Sequence, residues 1–302
     1  MSAARSRPGG ALKRLIGRRN AIAREKATRR RFLESAESFT PYVVAERREG
    51  TFVLPVHGAA KLFANPRRTE FVVLARALQT LREHGSGTSG GTIVDVGANI
   101  GTTVVPALVL HGFDRGVAIE PDPENRKVLR ASLALSGVDE QVAVVGAAAS
   151  SGPGEASFTR KRWSGGKHRI GAGRLRDDPA QVSDLIRVET VSLDQLAEQG
   201  VIDADTVSLL WLDVQGHEGE VLEGALSLLR RRVPVVFALR PRELSRPEVL
   251  AELLGRHYDT LVDLRHPSLK EGWTAELETV DALEQRFGLR LTTDMLAFNR
   301  AD

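Results

Sequence analysis

Not one of the 302 residues is a cysteine. That excludes disulfides, thiolate metal sites and a cysteine nucleophile. No apolar run approaches the ~20 residues that a membrane-spanning helix needs. No apolar stretch follows the first basic residues, so Arg18-Arg19 does not read as an export signal, and a cytoplasmic location is the default expectation. Aromatic residues make up only 5% of the chain and none precedes Phe32, so the basic N-terminus offers no stacking surface to nucleic acid bases. There is also no Asn-Pro-Pro-Tyr type of run to stack a flipped base. The length suits one large α/β domain with extensions.

Charge is unevenly placed. Residues 1–31 hold eleven Lys/Arg against the single acid Glu25, which leaves 31 basic and 38 acidic residues in the remainder. The basic character therefore belongs to the arm, and the body is acidic. Leu12, Leu15, Ile16, Ile22 and Ala23 fit one helical face. The arm reads first as a solvated, partly disordered segment and second as a peripheral contact with an anionic membrane.

The stretch Thr92–Glu120 organises the rest. Thr92–Val96 is mostly apolar and β-branched and predicts a buried strand. Gly97, Ala98, Asn99 and Gly101 predict a tight turn, Thr102–His111 a helix stopped by Gly112, and Arg115–Ile119 a second strand ending on Glu120. Strand–turn–helix–strand units bind adenine-containing ligands at the carboxyl ends of their strands. A dinucleotide site calls for G-x-G-x-x-G, whereas here Asp95 stands two residues before the first glycine. An acid there suits a cation. The reading is S-adenosylmethionine, with Asp95 toward its charged methionyl end and Glu120 accepting both ribose hydroxyls. Gly97, Asn99 and Gly101 shape the turn between them.

Residues 32–90 read as an accessory region. Tyr42–Glu46 and Thr51–Pro55 flank a hairpin turn, and Thr69–His84 is a helix with Phe71, Leu74, Leu78 and Leu81 at helical spacing. Gly85–Gly91 reads as a flexible linker. The cofactor-binding domain then occupies 91–302. Asp122 predicts the cap of a helix running to about Ser136, and Val142–Ala147 a third strand. Residues 152–187 break the alternation with a cationic, glycine-rich excursion containing Arg160, Arg162, Trp163 and Arg169. It reads either as a solvated loop or as a lid over an anionic or sugar-like acceptor, because Arg pairs carboxylates and phosphates and Trp stacks on a ring. Arg187–Val191 is another strand, with Ser192 or Asp194 capping the helix after it. Val207–Leu212 delivers Asp213 to a strand tip, and one helix is expected from His217 to Leu229. Val233–Leu239, Tyr258–Leu264 and Leu289–Asn299 complete the strands, and Pro247–His257 is a helix.

Residues 92–239 resemble the FkbM family of S-adenosylmethionine-dependent methyltransferases. The resemblance rests on DVGANIG (95–101), AIEPDPEN (118–125), VSLDQL (191–196) and LDVQGHEGEVLEGA (212–225). It implies a class I, Rossmann-like seven-stranded sheet with helices on both faces and a reversed last strand. It also implies O-methylation of a sugar or secondary-metabolite hydroxyl, so the expected partner is a small-molecule or glycan acceptor. Family members commonly carry a glutamate near the end of the fifth strand, where this chain has Ala238.

Methyl transfer needs mainly alignment, which supplies ~7–11 kcal/mol. A general base adds about 10²–10⁴ in rate for a hydroxyl acceptor. The base candidates are Asp213 and His217, with Asp213 also a candidate for the cofactor's methionyl end. Their bland readings are a helix cap and a solvated first-turn side chain. Asp213, His217 and Glu218 make a thin set for Mg²⁺, so no metal is expected. Two alternatives stand beside this one: a cofactor-binding scaffold without turnover, motivated by Ala238, and a nucleic-acid methyltransferase, motivated by the basic arm.

Overall fold

The strand β3 (Thr92–Val96) is buried at every position, as its mostly apolar, β-branched run predicts for a strand covered on both faces. The computed structural model describes residues 23–25, 27–56, 70–85, 90–161, 169–170, 182–265, 273–288 and 292–300. Strands β1 (Tyr42–Arg47) and β2 (Gly50–Pro55) form an antiparallel hairpin. Helix α1 (Glu70–Glu83) comes next, then β3, α2 (Val104–His111), β4 (Arg115–Ile119), α3 (Pro123–Leu135) and β5 (Val142–Val145). After the excursion come α4 (Leu193–Glu198), β10 (Val207–Leu212), α5 (Glu218–Glu223), α6 (Leu226–Arg230), β11 (Val235–Leu239), α7 (Pro247–His257), β12 (Thr260–Asp263), β13 (Leu277–Thr279), α8 (Leu283–Phe287) and β14 (Thr293–Phe298).

The main sheet has the order β13-β12-β14-β11-β10-β3-β4-β5. Strands β5, β4, β3, β10 and β11 are mutually parallel, and β14 runs antiparallel between β11 and β12. The reversed last strand is therefore present, but the sheet has eight strands and not seven. The additional strand, β13, is three residues long with an exposed–intermediate–exposed pattern, so nothing in its local sequence announces a strand. It pairs antiparallel with the sheet edge at β12. Arg286 binds both Asp263 of β12 and Glu278 of β13 and braces that pairing.

Two apolar clusters cover the two faces. One joins alternate residues of the main sheet, such as Val94, Leu210, Val235 and Ala297, to α4 through α7. The other joins the opposite set, including Ile93, Leu209, Val236 and Leu296, to α1, α2, α3 and the hairpin. Phe52 and Leu54 of the hairpin lie in this second cluster with Phe71, Leu74, Leu78 and Leu81 of α1. The hairpin edge is covered by α3: Ser136 Oγ accepts the Thr51 N–H at 3.0 Å and Ser132 Oγ accepts the Val53 N–H at 3.1 Å. Buried edge-strand donors thus keep partners. Among the described residues no helix is long and apolar enough to cross a membrane. Residues 1–22, which hold most of the basic arm, lie outside the described residues.

The excursion contains more order than expected. Strands β6 (Ala148–Ala149), β7 (Gly154–Lys161), β8 (Arg169–Ile170) and β9 (Val182–Val191) form a second sheet in the order β6-β9-β7-β8. The strand expected at Arg187 begins at Val182 and pairs with β7 from Gly154↔Thr190 to Lys161↔Val182. The residues of strand β7 are mostly small or polar, and among those with described side chains only Phe158 and Thr159 are buried, so periodicity alone could not reveal it.

The single helix expected over 217–229 is two helices, α5 and α6, with a break at Gly224-Ala225. The break has a partner elsewhere in the chain. Asp194 accepts the N–H groups of Leu226 at 3.0 Å and Ser227 at 2.9 Å, which starts a new helix there. Ser192 caps α4, accepting the Gln195 N–H at 3.0 Å.

Candidate functional site

The carboxyl ends of β3, β4, β10 and β11 meet along one edge of the sheet, and Asp95, Gly97, Asn99, Gly101, Glu120 and Asp213 lie on those strand ends and the turns that follow them. The turn after β3 holds three left-handed residues: Gly97 at φ 82°, Asn99 at 51° and Gly101 at 92°. A Cβ on Gly97 would stand 2.3 Å from the Asp213 carbonyl oxygen, so only glycine lets the tips of β3 and β10 approach. The Gly97 and Ala98 N–H groups donate to Ile119 O at 2.9 and 3.1 Å, which fastens this turn to the end of β4.

Glu120 lies at the centre of the arrangement. Its Oε2 accepts the Asn99 N–H at 2.8 Å and its Oε1 accepts the Asp122 N–H at 2.9 Å. Asn125 Nδ2 donates to the same Oε1 at 3.4 Å. The side chain is 4% exposed, and burial pushes its carboxyl up to about 7 against those hydrogen bonds. Asn99 Oδ1 beside it is buried with no hydrogen-bond partner among the described residues. A buried acceptor of that kind calls for a donor from a ligand or a water.

Asp95 has a different set of neighbours from the one its spacing suggests. Its Oδ2 accepts the Val104 N–H at 3.1 Å, at the start of α2. It is 1% exposed, and burial, together with the charges of Asp213, Glu120 and Glu70, raises its carboxyl to about 8. The register places it beside Trp211 and Ala118, on the face covered by α2.

Asp213 directs its carboxylate at Arg240, the residue that follows β11. The Arg240 Nη1 donates to Asp213 Oδ1 at 2.9 Å, and Gln215 Nε2 donates to the same oxygen at 2.8 Å. Glu218 is fully buried next to this pair, and burial lifts it to about 7 while Arg240 pulls it down. Its Oε1 takes the N–H groups of Val214 and Gly216 at 3.3 Å each, and its Oε2 has no partner among the described residues.

His217 is engaged away from Asp213. Its Nε2 lies 3.0 Å from Ser150 Oγ, and its Nδ1 lies 3.5 Å from Glu220 Oε2. Burial lowers its pKa and the Glu220 charge opposes that, so the ring is neutral near pH 7. Asp213 and His217 thus share a loop while their side chains serve different partners.

The excursion residues divide. Arg162 and Trp163 lie outside the described residues, and Arg169 is placed by its backbone alone, opposite Thr159 in the β7–β8 ladder. Arg160 is well placed, and its partner is the buried Asp122, at 2.7 Å from Nε to Oδ2.

Several residues at this edge were not singled out from sequence. Arg240 is the clearest, and its place one residue past a buried strand was the available signal. Asp294 stands directly opposite Ala238 in the β11–β14 register, so the Ala238 position faces a carboxylate from the next strand. Asp294 is paired with Arg265, and burial raises its pKa. Glu70, the first residue of α1, has a buried Oε2 with no partner among the described residues and a carboxyl raised to about 7 by burial. Its link to the edge depends on how α1 docks, which no local pattern reveals. Among the described residues, no three His, Asp or Glu side chains converge in a way that could hold a metal ion.

Residues 95–266, more than half of the chain, match the Methyltransferase FkbM domain family. Among solved structures, the methyltransferase FkbM from Methylobacillus flagellatus KT is similar at 16% identity and a TM-score of 0.45, covering 74% of this chain and 48% of that one. The chain thus spans about half the length of that relative. TYW2 of P. horikoshii in complex with MeSAdo is similar at 13% identity and a TM-score of 0.41, covering 85% of this chain and 72% of that one. TYW2 of M. jannaschii in complex with AdoMet is similar at 13% identity and a TM-score of 0.40, covering 86% and 87%. No curated protein matches the chain.

Proposed function

Because this chain belongs to the Methyltransferase FkbM domain family, we propose that it is an S-adenosylmethionine-dependent O-methyltransferase acting on a hydroxyl of a small molecule or sugar. The observation that carries the cofactor assignment is Glu120. A buried carboxylate at the tip of β4, with Asn99 Oδ1 beside it lacking a partner among the described residues, is a site for vicinal hydroxyls. Such an edge of an open α/β sheet is where ligands meet. S-adenosylmethionine, when bound, supplies an electrophilic methyl group on a sulfonium. Glu120 and the turn of Gly97, Asn99 and Gly101 hold the ribose side, and the Asp213 carboxylate, joined by Asp95 once a bound cation lets it ionise, favours the cationic end. In this reading 91–302 is the catalytic domain, 32–90 its accessory region and 1–31 an arm.

What the chain's own residues contribute is placement and a proton acceptor. Asp213, held by Arg240 and Gln215, is oriented to take a hydrogen bond from an acceptor hydroxyl. His217 is neutral, and with Ser150 on its Nε2 and Glu220 behind its Nδ1 to stabilise the cation it takes a proton through the Ser150 hydroxyl. Replacing His217 by Ala is expected to lower turnover by about 10²-fold with little change in cofactor affinity. Unchanged turnover would leave Asp213 or solvent as the proton acceptor.

The cofactor assignment is tested by calorimetry with S-adenosylhomocysteine. Glu120→Ala removes charge-assisted hydrogen bonds worth about 1.5–3 kcal/mol. Equal affinity in wild type and variant would take Glu120 out of the site. No binding by the wild type would remove the methyltransferase reading altogether. Methyl transfer to a panel of glycans and small alcohols then identifies the acceptor.

A further inference from the structure

Arg160 and Asp122 are 38 residues apart in sequence, one on the second sheet and the other in the turn after β4, yet they form a two-pronged ion pair. Arg160 Nε donates to Asp122 Oδ2 at 2.7 Å and Nη2 donates to Oδ1 at 3.3 Å. Asp122 is 1% exposed. The same Oδ1 accepts the N–H groups of Glu124 at 2.8 Å and Asn125 at 3.4 Å and so caps α3. The backbone of Asp122 faces the other way along the turn, its N–H donating to Glu120 Oε1. Asp122 is therefore the link between an arginine on the second sheet and the carboxylate at the tip of β4.

We propose that Arg160 is a positioning residue for the ribose end of the cofactor site, acting through Asp122 on Glu120, and not a ligand of the methyl acceptor. The inference rests on the cofactor reading given above. Two physical effects support it. The first is geometric: the guanidinium fork fixes the Asp122 carboxylate, and with it the backbone N–H that orients Glu120. The second is electrostatic. The Asp122 charge disfavours ionisation of Glu120. A cation paired to Asp122 offsets that repulsion and leaves Glu120 freer to be the acceptor of hydroxyl protons. Arg126 braces the same turn from α3, its Nη1 donating to Glu120 O at 3.0 Å and Pro121 O at 2.7 Å. The turn is thus held by one arginine from its own helix and one from the second sheet. A second carboxylate near Arg160, that of Asp184, is 3.5 Å away with its side chain 59% exposed, a looser and more solvated contact.

Calorimetry with S-adenosylhomocysteine on the full-length chain tests this without any acceptor present. Arg160→Gln is expected to weaken binding about tenfold, the loss of one charge-assisted contact. Arg160→Lys is expected to recover only part of that, because an ammonium cannot reproduce the fork. The effects of Arg160→Gln and Glu120→Gln should be non-additive in the double variant, as for residues in one network. Asp184→Asn, which removes the solvated partner, should bind like the wild type. Wild-type affinity in both Arg160 variants would overturn the assignment, as would full additivity with Glu120→Gln. A raised acceptor KM in Arg160→Gln with unchanged S-adenosylhomocysteine affinity would return Arg160 to the acceptor. If Arg160→Gln does not fold, Arg160→Lys and the cycle built on it decide by the same criteria. Absence of binding by the wild type would instead remove the cofactor reading on which this inference stands.

Discussion

Gly216→Ala is expected to destabilise the fold by at least about 3 kcal/mol, through backbone strain and a clash with main-chain atoms. Gly216 sits at φ 100°, where a side chain is strained whatever the space. A Cβ built there stands 2.1 Å from Glu243 O and 2.6 Å from Glu243 C. Those are backbone atoms and cannot rotate aside. The Gly216 carbonyl also accepts the Ser245 N–H and the Ser245 hydroxyl, both at 2.8 Å, so the loop after β11 is bonded to the loop after β10 at this point. A thermal melt should show the midpoint lowered by roughly 6–12 °C. Because Asp213 and Arg240 hang on the two loops, turnover should fall further than the folded fraction does. Gly255→Ala is the control: it lies inside α7 with nothing within 4 Å of its Cβ, and helix propensity predicts a neutral or stabilising effect. A Gly216→Ala midpoint as high as that of Gly255→Ala would show that the two loops part without cost.

The second large effect is on the pH dependence of stability. Three fully buried carboxyl groups have raised pKa values: Asp95 to about 8, Glu120 to about 7 and Glu218 to about 7. Asp95 faces the charges of Asp213, Glu120 and Glu70, Glu120 faces Asp122, and Glu218 faces Asp213 and Arg240. In the unfolded chain the same groups release their protons near 3.8 and 4.5. Above those values the folded chain binds more protons than the unfolded one, so stability falls as pH rises, until each group ionises in the folded state. The histidines with lowered pKa values, His111, His217 and His257, act in the opposite sense, but their contribution levels off above about pH 6.5. Urea unfolding compared at pH 6.5 and 8.5 should therefore show a loss of roughly 3 kcal/mol. Flat or rising stability over that interval would mean that these carboxyls are already ionised at neutral pH. Saturating S-adenosylmethionine, which carries net positive charge, should flatten the slope, because a cation at the edge stabilises the ionised carboxylates.

Much of this was legible in the chain because it is local. The mostly apolar runs of β3, β10 and β11, the turn of Gly97 to Gly101 and the Asp122 cap all came from residues that interact within a few positions. So did the face of α1 marked by Phe71, Leu74, Leu78 and Leu81. Burial of a short apolar strand on two faces and left-handed glycine turns leave signatures in composition and spacing. The position of Glu120 at a strand tip follows from the same local logic.

The remainder was decided by pairings between distant segments, which carry no local mark. Strand β13 exists because β12 offers an open edge and Arg286 spans the two, and its own three residues are mostly exposed. The break between α5 and α6 is set by Asp194, about thirty residues earlier in the chain. His217 stands in the same loop as Asp213, yet Ser150 and Glu220 take both of its ring nitrogens, because the second sheet brings Ser150 against α5. Arg160 read from sequence as one cation of a solvated loop or an acceptor lid, until the β7–β9 ladder carried it to the buried Asp122. Sequence alone determined the buried parallel strands, the turn of Gly97 to Gly101 and the Asp122 cap, since those depend on neighbours along the chain. Which carboxylate meets which cation was decided by tertiary structure, since a buried charge takes its partner from whatever segment the fold places within hydrogen-bonding distance.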